Sequence, residues 1–336
     1  MIARSIVIEG IQKVNIIEEE INPGVMKSKE CLIESIASFI SPGTELSRAY
    51  GLKKGATYPV RPGYCSVGKI IEKGSDLKTV EIGDTVLFSG PHASHQIYDM
   101  AKSDGGVLYK LDPRLSPNEG AMMMMCWIAM NGILTVDVKL GDTVVIFGMG
   151  NLGMILSILY TEMGVKVIGI DPVAHRCEIA RSMGLKNVVH CAPEDQIKTI
   201  LELTHQKGAD IVIDATGMSA AVENAVLSTG RNGHVVLLGT PRTDYVTNIT
   251  PILNAIHMKM LTVHGALNRR FPFEEKEGSR LSVRRSMDYL TELMLKKTID
   301  VEKFISHVIK PEDIMSAYEG LMYHKDQYTS VIIRWK

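Results

Sequence analysis

Residues 143–171 read TVVIFGMGNLGMILSILYTEMGVKVIGID, and the fold turns on how this stretch is read. A β-branched run enters Gly148-x-Gly150-x-x-Gly153, a helical stretch follows, and a second apolar run closes on Asp171. The three glycines have separable tasks. Gly148 allows a tight turn, Gly150 lets a pyrophosphate come up to the backbone, and Gly153 lets the helix lie close on the strand. The helix that opens at Asn151 and Leu152 then aims its first N–H groups at an anion. A bare Gly-x-Gly-x-x-Gly is weak evidence, but one framed by strand, helix, strand and a carboxylate at this distance marks a dinucleotide site. Asp171 is placed to accept hydrogen bonds from both adenosine ribose hydroxyls and to repel a 2′-phosphate, which points to NAD. Capping of the next helix can coexist with that role. Arg176 is close enough to touch the ribose and keeps NADP open.

The same texture continues on both sides. The runs TVVIFG, KVIGID, NVVH, DIVIDA, HVVLLG and LTVHG alternate with helical stretches over 143–265, the pattern of parallel strands covered on both faces. Ligands gather at the carboxyl ends of such strands, so Thr216 in DATG and Gly239 and Thr240 in LGTP should border the nicotinamide half of the cofactor. Upstream, SIVIEG, CLIESIASFI, GKIIEKG and DTVLFSG read as short strands of a barrel-like β module. Near residue 116 the chain turns helical, with Ser116 as N-cap, Pro117 at the first helical position and Glu119 in the first turn. LSVRRSMDYLTELMLKK and PEDIMSAYEGLM have helical spacing, and TSVIIRW reads as a closing strand.

Composition narrows the function classes. The chain has 336 residues, enough for two domains, and 45% hydrophobic residues, enough for a core in each. A formal charge of −1 leaves no basic field for nucleic acid or an anionic membrane. No apolar run reaches the roughly 18–20 residues that span a bilayer, and MIARSIVIEG lacks a signal-peptide core. The five cysteines are scattered with no Cys-x-x-Cys pair. That argues against a disulfide framework and a thiolate zinc knuckle, and suits a reduced, cytoplasmic setting.

A β module, a dinucleotide-binding domain and a return segment together resemble the medium-chain dehydrogenase/reductase superfamily over essentially the whole chain. The motifs are SPGTEL, RPGYCSVG, LGDTVVIFGMGNLG, GADIVIDATG, HVVLLGT and ISHVIKPEDIMSAYEGL. The resemblance implies an α/β protein with a GroES-like catalytic domain over 1–118, a doubly wound Rossmann domain over 119–262 and a return segment over 263–336 that completes the first. It also implies an active site in the cleft, a small alcohol or ketone substrate, and a homodimer. Zinc-dependent members bind their catalytic metal through a Cys, then a His, then a Cys or Glu. Here Pro42 stands for the cysteine, Tyr64 for the histidine, and Met124 falls near the third position. Proline cannot ligate, and Tyr and Met are poor zinc ligands. The four-cysteine structural lobe is missing as well. SPGTEL and RPGYCSVG look most like the zinc-lacking branch near the bacteriochlorophyllide dehydrogenases and sugar-associated oxidoreductases.

FSGPHASHQ, residues 88–96, holds two histidines behind Gly90 and Pro91. Zinc at His92 and His95 would need further ligands, with Cys65 and Glu45 the nearby candidates. The other readings are turn histidines bonded to backbone, or proton handling in the cleft. His95 is the favoured base, working through Thr44 or Tyr64, with His92 a substrate or structural contact. Thr44 matches the hydroxyl that relays the substrate proton in the family, or forms a turn after Pro42-Gly43. Tyr64 is either an acid/base in the vacated ligand position or a space-filler. Glu45 matches a carboxylate that meets an Arg inside the family's fold, and Cys65 is reactive or simply buried. Met122–Met125 with Trp127 reads as helix core or apolar cleft lining. Arg269 and Arg270, in the charged stretch 268–280, belong to a solvated loop or meet a substrate anion. The leading function is NAD-dependent oxidation of a secondary alcohol of a sugar, cyclitol or derivative without zinc. The alternatives are a zinc-free reductase of an activated double bond or quinone, and a nucleotide-binding protein without catalysis.

Overall fold

Alternating apolar residues make β1 (Ile2–Gly10) and β2 (Lys13–Glu20) an antiparallel hairpin, and β3 (Glu30–Phe39) is buried along almost its whole length. The computed structural model describes residues 1–52, 55–100, 106–268 and 270–336. After β3 come α1 (Pro42–Ala49), β4 (Ser66–Lys73), β5 (Thr85–Phe88), β6 (His95–Asp99), β7 (Leu108–Lys110) and α2 (Pro117–Ile133). Alternating strands and helices follow: β8 (Thr143–Phe147), α3 (Asn151–Glu162), β9 (Lys166–Asp171), α4 (Ala174–Ser182), β10 (Val188–His190), α5 (Gln196–Leu203), β11 (Ala209–Asp214), α6 (Ser219–Ser228), β12 (Thr229–Leu237), α7 (Thr250–Lys259) and β13 (Thr262–Gly265). The chain closes with α8 (Val283–Leu295), β14 (His307–Ile309), α9 (Ile314–Tyr323) and β15 (Val331–Arg334).

These elements form two compact units, one of residues 1–125 with 271–336, the other of 126–270. The divisions fall inside α2 and after β13, a few residues beyond the 118 and 262 boundaries read from the sequence. In the first unit the sheet order is β14-β15-β3-β4-β5-β7, with β6 also paired to β3. The C-terminal strand β15 lies antiparallel to β3, Ile332 opposite Phe39, so the two ends of the chain share one sheet. In the second unit six parallel strands run in the order β10-β9-β8-β11-β12-β13. That is the doubly wound order, which reverses between β8 and β11 and makes their carboxyl ends the place for a ligand.

Several local readings hold. Ser116 and Glu119 form a reciprocal cap on α2, Glu119 N–H donating to Ser116 Oγ at 3.1 Å and Ser116 N–H to Glu119 Oε2 at 2.8 Å. Met122–Met125 and Trp127 are all buried. SPGTEL does not turn but opens α1, with Pro42 at its first position, where a missing N–H costs nothing.

The glycine turn after β8 gives a direct stability test. A Cβ on Gly153 would stand 1.7 Å from the Gly148 carbonyl oxygen, whereas one on Gly150 would meet nothing within 4 Å. Thermal or urea unfolding should therefore find Gly153→Ala destabilised by about 2 kcal/mol or more, as overpacked sites are, and Gly150→Ala close to the parent.

Candidate active site

The dinucleotide turn is held by a buried carboxylate, and a second one holds the turn that packs against it. Gly148 has φ +95°, a conformation that side chains rarely adopt, and its Cα packs on the Thr216 methyl group. Gly150 is the N-cap of α3, and Asn151 and Leu152 open the helix, whose first-turn N–H groups have no acceptor within the helix itself. Asp171, 1% exposed at the end of β9, accepts from Met149 N–H at 2.7 Å through one oxygen and from Val173 N–H at 2.7 Å through the other. It thus ties the glycine turn to the start of α4, and each oxygen keeps a second lone pair for a ribose hydroxyl. Arg176 reaches to 3.8 Å from the same carboxylate.

Sequence reasoning missed Asp214. At the end of β11 its carboxylate accepts from Thr216 N–H at 2.9 Å, Thr216 Oγ1–H at 2.5 Å and Gly217 N–H at 3.1 Å. Burial still raises its pKa above the usual carboxylate range. The Thr216 hydroxyl, expected to meet cofactor, is spent on Asp214 and on Met218 N–H. Gly239 lies against the same turn, where a Cβ would stand 2.1 Å from Gly217 N, and Thr240 is exposed beyond it. The available signal was an Asp two residues before a Thr-Gly, the spacing at which such a side chain bonds its own turn.

In the first unit the residues of SPGTEL and RPGYC meet. The Ser41 hydroxyl does not cap α1; it bonds the Tyr64 hydroxyl at 2.7 Å, and the Thr44 side chain lies near enough to the same phenol to stabilise its charged form. Burial pushes the Tyr64 pKa well above the usual phenol value, with Cys65 and Glu45 adding to the rise against those two hydroxyls. A phenol so placed stays protonated and acts as a donor. Cys65 is fully buried and its thiol is pushed up by burial and by Glu45, so it is not a reactive thiolate.

The two histidines of the 88–96 stretch part company. His92 is 0% exposed, with Nδ1 2.8 Å from Ser38 Oγ and Nε2 3.0 Å from Glu45 Oε2. Glu45 meets His92 and the Tyr318 hydroxyl, at 2.8 Å, instead of the arginine implied by the resemblance. His95 begins β6 opposite Glu34, its Nε2 3.5 Å from Glu34 Oε1 and its Nδ1 3.2 Å from Ser94 Oγ. The expectation that His95 is the base working through Thr44 or Tyr64 finds no hydrogen bond from His95 to either residue among the described residues.

The zinc positions of the family do not fit a metal. Pro42 opens α1, the Tyr64 hydroxyl is engaged by Ser41, and Met124 is buried in α2. Among the described residues no three His, Cys, Asp or Glu side chains converge to hold an ion, and His92, Glu45 and Cys65 are no exception. The charged stretch after β13 is pinned to α8 by Glu274–Arg284 at 2.6 Å and Glu275–Arg285 at 3.5 Å. Arg270 lies beside His264, and Arg269 is outside the described residues. Among the described residues no helix is long and apolar enough to cross a membrane.

Comparison with known proteins adds a lineage to this geometry. The family model for zinc-binding dehydrogenases matches residues 152–281. D-guloside 3-dehydrogenase of Escherichia coli K12 is 33% identical over 277 residues, covering 80% of this chain and 74% of its own. The crystal structure of E. coli galactitol-1-phosphate dehydrogenase superposes with a TM-score of 0.82 over 98% of this chain and 99% of its own, at 17% identity. An alcohol dehydrogenase of E. coli CFT073 solved with NADH superposes with a TM-score of 0.79 at 17% identity, over 99% of both chains. A dehydrogenase of Sinorhizobium meliloti 1021 solved with NADP does so with a TM-score of 0.78 at 18%, again over 99% of both. With this lineage, and with a GroES-like unit and a Rossmann unit, the chain belongs to the medium-chain dehydrogenase/reductase superfamily of oxidoreductases.

Proposed function

We propose that this protein is an NAD-dependent, zinc-independent dehydrogenase that interconverts a secondary alcohol and a ketone on a sugar, cyclitol or derivative. The observation that carries the reading is the Ser41–Tyr64 hydroxyl pair, 2.7 Å apart, with Tyr64 at a position where the resemblance implies a metal ligand and Ser41 beside another. The relative named as a D-guloside 3-dehydrogenase supports a sugar hydroxyl as the substrate group.

In alcohol oxidation the carbinol carbon loses a hydride and the hydroxyl loses a proton. Nicotinamide, when bound, takes the hydride. The proton passes to the Tyr64 oxygen as the phenol hands its own proton to Ser41 or Thr44 and on to water. In reduction Tyr64 donates its proton to the carbonyl oxygen as the hydride arrives. The turn at Gly148, Gly150 and Gly153 would hold the pyrophosphate of a bound cofactor, and the spare lone pairs of Asp171 would hold the adenosine ribose, with Arg176 alongside. The expected homodimer is supported by the outer edge of β13, which is unpaired among the described residues and flanked by exposed Met258, Met260, Val263 and Leu267. All five cysteines are free and buried, which suits a reducing, cytoplasmic compartment.

NADH formation should appear with a panel of methyl hexopyranosides and inositols. NADPH oxidation with enones and no alcohol turnover would favour the double-bond reductase, and cofactor binding without turnover the non-catalytic reading. Tyr64→Phe should lower kcat by about 10²-fold while NAD affinity stays within about twofold, and His95→Ala should turn over normally. Because the Tyr64 pKa is raised, the protonated donor persists as pH rises, so the alkaline limb of ketone reduction should lie above the ordinary phenol value of 10.0.

Elemental analysis should find zinc far below one per chain, with turnover unaffected by a chelator. Cofactor titration should favour NAD over NADP by about tenfold, or roughly 1.4 kcal/mol, and Asp171→Asn should narrow that gap. Gly150→Ala should weaken NAD binding although its unfolding is unchanged.

A further inference from the structure

His92 touches both segments that carry the hydroxyl pair. Its Nε2 faces Glu45, whose other oxygen accepts Ser41 N–H at 2.6 Å, so the ring braces the entry to α1. Its backbone N–H donates to Pro62 O at 2.8 Å, bracing the turn that carries Tyr64. Gly63 in that turn has φ +101°, and a Cβ there would stand 2.7 Å from His92 N and 2.9 Å from ring atoms, so only glycine lets the turn close on the imidazole. One fully buried residue therefore joins the backbone on which Ser41 sits, through its ring and Glu45, to the backbone on which Tyr64 sits, through its own N–H and the ring packed on Gly63.

The hydrogen bonds around the ring also have a direction. The indole Nε1–H of Trp335 is donor-only and meets Ser38 Oγ at 3.0 Å. Ser38 is then free to give its own proton to His92 Nδ1, at 2.8 Å. In the neutral ring Nε2 carries the remaining proton and donates to Glu45 Oε2, which also accepts from Tyr318. A carboxylate accepts only, and Glu45 is met by three donors: the Ser41 N–H, His92 and the Tyr318 hydroxyl.

We propose that His92 is a positioning residue, held as the Nε2–H tautomer by Trp335 and Ser38, which keeps Ser41 and Tyr64 in hydrogen-bonding register through Glu45 and the Gly63 turn. The inference rests on the reading of Tyr64 as the proton-transfer group and adds Ser38, Glu45, Tyr318 and Trp335 to the machinery behind it. A misplacement of about 1 Å at a reacting group costs on the order of 10²-fold in rate, so the brace acts on turnover without touching substrate.

The test combines imidazole ¹⁵N spectra with kinetics on the best methyl hexopyranoside of the panel. The His92 signal, assigned by its loss in His92→Gln, should show one Nε2–H tautomer in the parent and a mixture of tautomers in Trp335→Phe and Ser38→Ala. His92→Leu should lose about 10²-fold in kcat with KM little changed. His92→Gln, whose amide N–H can still reach Glu45, should recover to within about tenfold of the parent. Trp335→Phe keeps an aromatic ring in place and should lose about tenfold in kcat, so the proposal is measured even if His92→Leu does not fold. An Nδ1–H tautomer in the parent would overturn it, as would full kcat in Trp335→Phe and Ser38→Ala alongside a disabled Tyr64→Phe. Unchanged turnover in Tyr64→Phe would instead bring down the Tyr64 reading, and the spectra would still report the tautomer.

Discussion

A carboxylate buried to 1% exposure must be met by donors, and Glu45 is the point from which the first unit is organised. Leaving such a charge unpaired costs about 3–5 kcal/mol. Its partners come from the strand-to-helix junction at Ser41, from His92 and from Tyr318 on α9, the last separated from it by 273 residues of chain. The antiparallel pairing of β15 with β3 brings Trp335 onto Ser38 and completes the same network. The return segment therefore supplies more than a closing strand. It delivers the Tyr318 hydroxyl to the buried acid and the Trp335 indole N–H to Ser38 behind His92.

The second unit uses the same device twice. Asp171 gathers one backbone N–H from the glycine turn after β8 and one from the segment after its own strand, and Asp214 gathers two from the turn that follows its strand. The two turns then meet through glycines, since Gly148 packs on Thr216 and Gly239 packs on Gly217. A ligand at the carboxyl ends of these strands finds backbone whose geometry is already determined by buried acids. That is what a preorganised anion site requires, because little conformational entropy is left to lose on binding.

The second unit was legible because its signals are local. Gly148, Gly150, Gly153 and Asp171 lie within one strand-helix-strand segment, and the apolar runs marked its six strands. Ser116–Glu119 was legible for the same reason, its reciprocal cap being complete within four residues. The first unit was less so. Glu45 and His92 each drew notice, but nothing in the chain says that residues 47 apart share a hydrogen bond. His92 and His95 look equivalent in sequence, yet strand β6 begins at His95 and its register sets that ring beside Glu34, while His92 stays in the preceding turn and faces inward. Tyr318 and Trp335 carried no signal, because an aromatic on an apolar helix face or at a strand end reads as core. The two proline-glycine motifs pointed to the right pair of segments, and only the fold shows that their hydroxyls touch.

On the proposed zinc-independent reading, the residues at the family's metal-ligand positions change the chemistry and not only the inventory. A zinc ion would lower the pKa of a bound alcohol by its positive charge. Around Tyr64 the field has the opposite sense, since burial, Cys65 and Glu45 all raise the phenol pKa and only the Ser41 and Thr44 hydroxyls oppose them. On the proposed reading such a site is intrinsically better at giving a proton to a carbonyl than at taking one from an alcohol. Oxidation then needs the proton to leave as it arrives, through the Ser41 and Thr44 hydroxyls, because a resident phenolate is disfavoured. That requirement explains why the hydroxyl pair has to be held to hydrogen-bond distance. A metal tolerates some slack because its charge acts at range, whereas a hydroxyl relay weakens steeply once its members separate or lose alignment. On the proposed zinc-independent reading, rigid bracing from a buried acid and imidazole is the structural counterpart of giving up the metal.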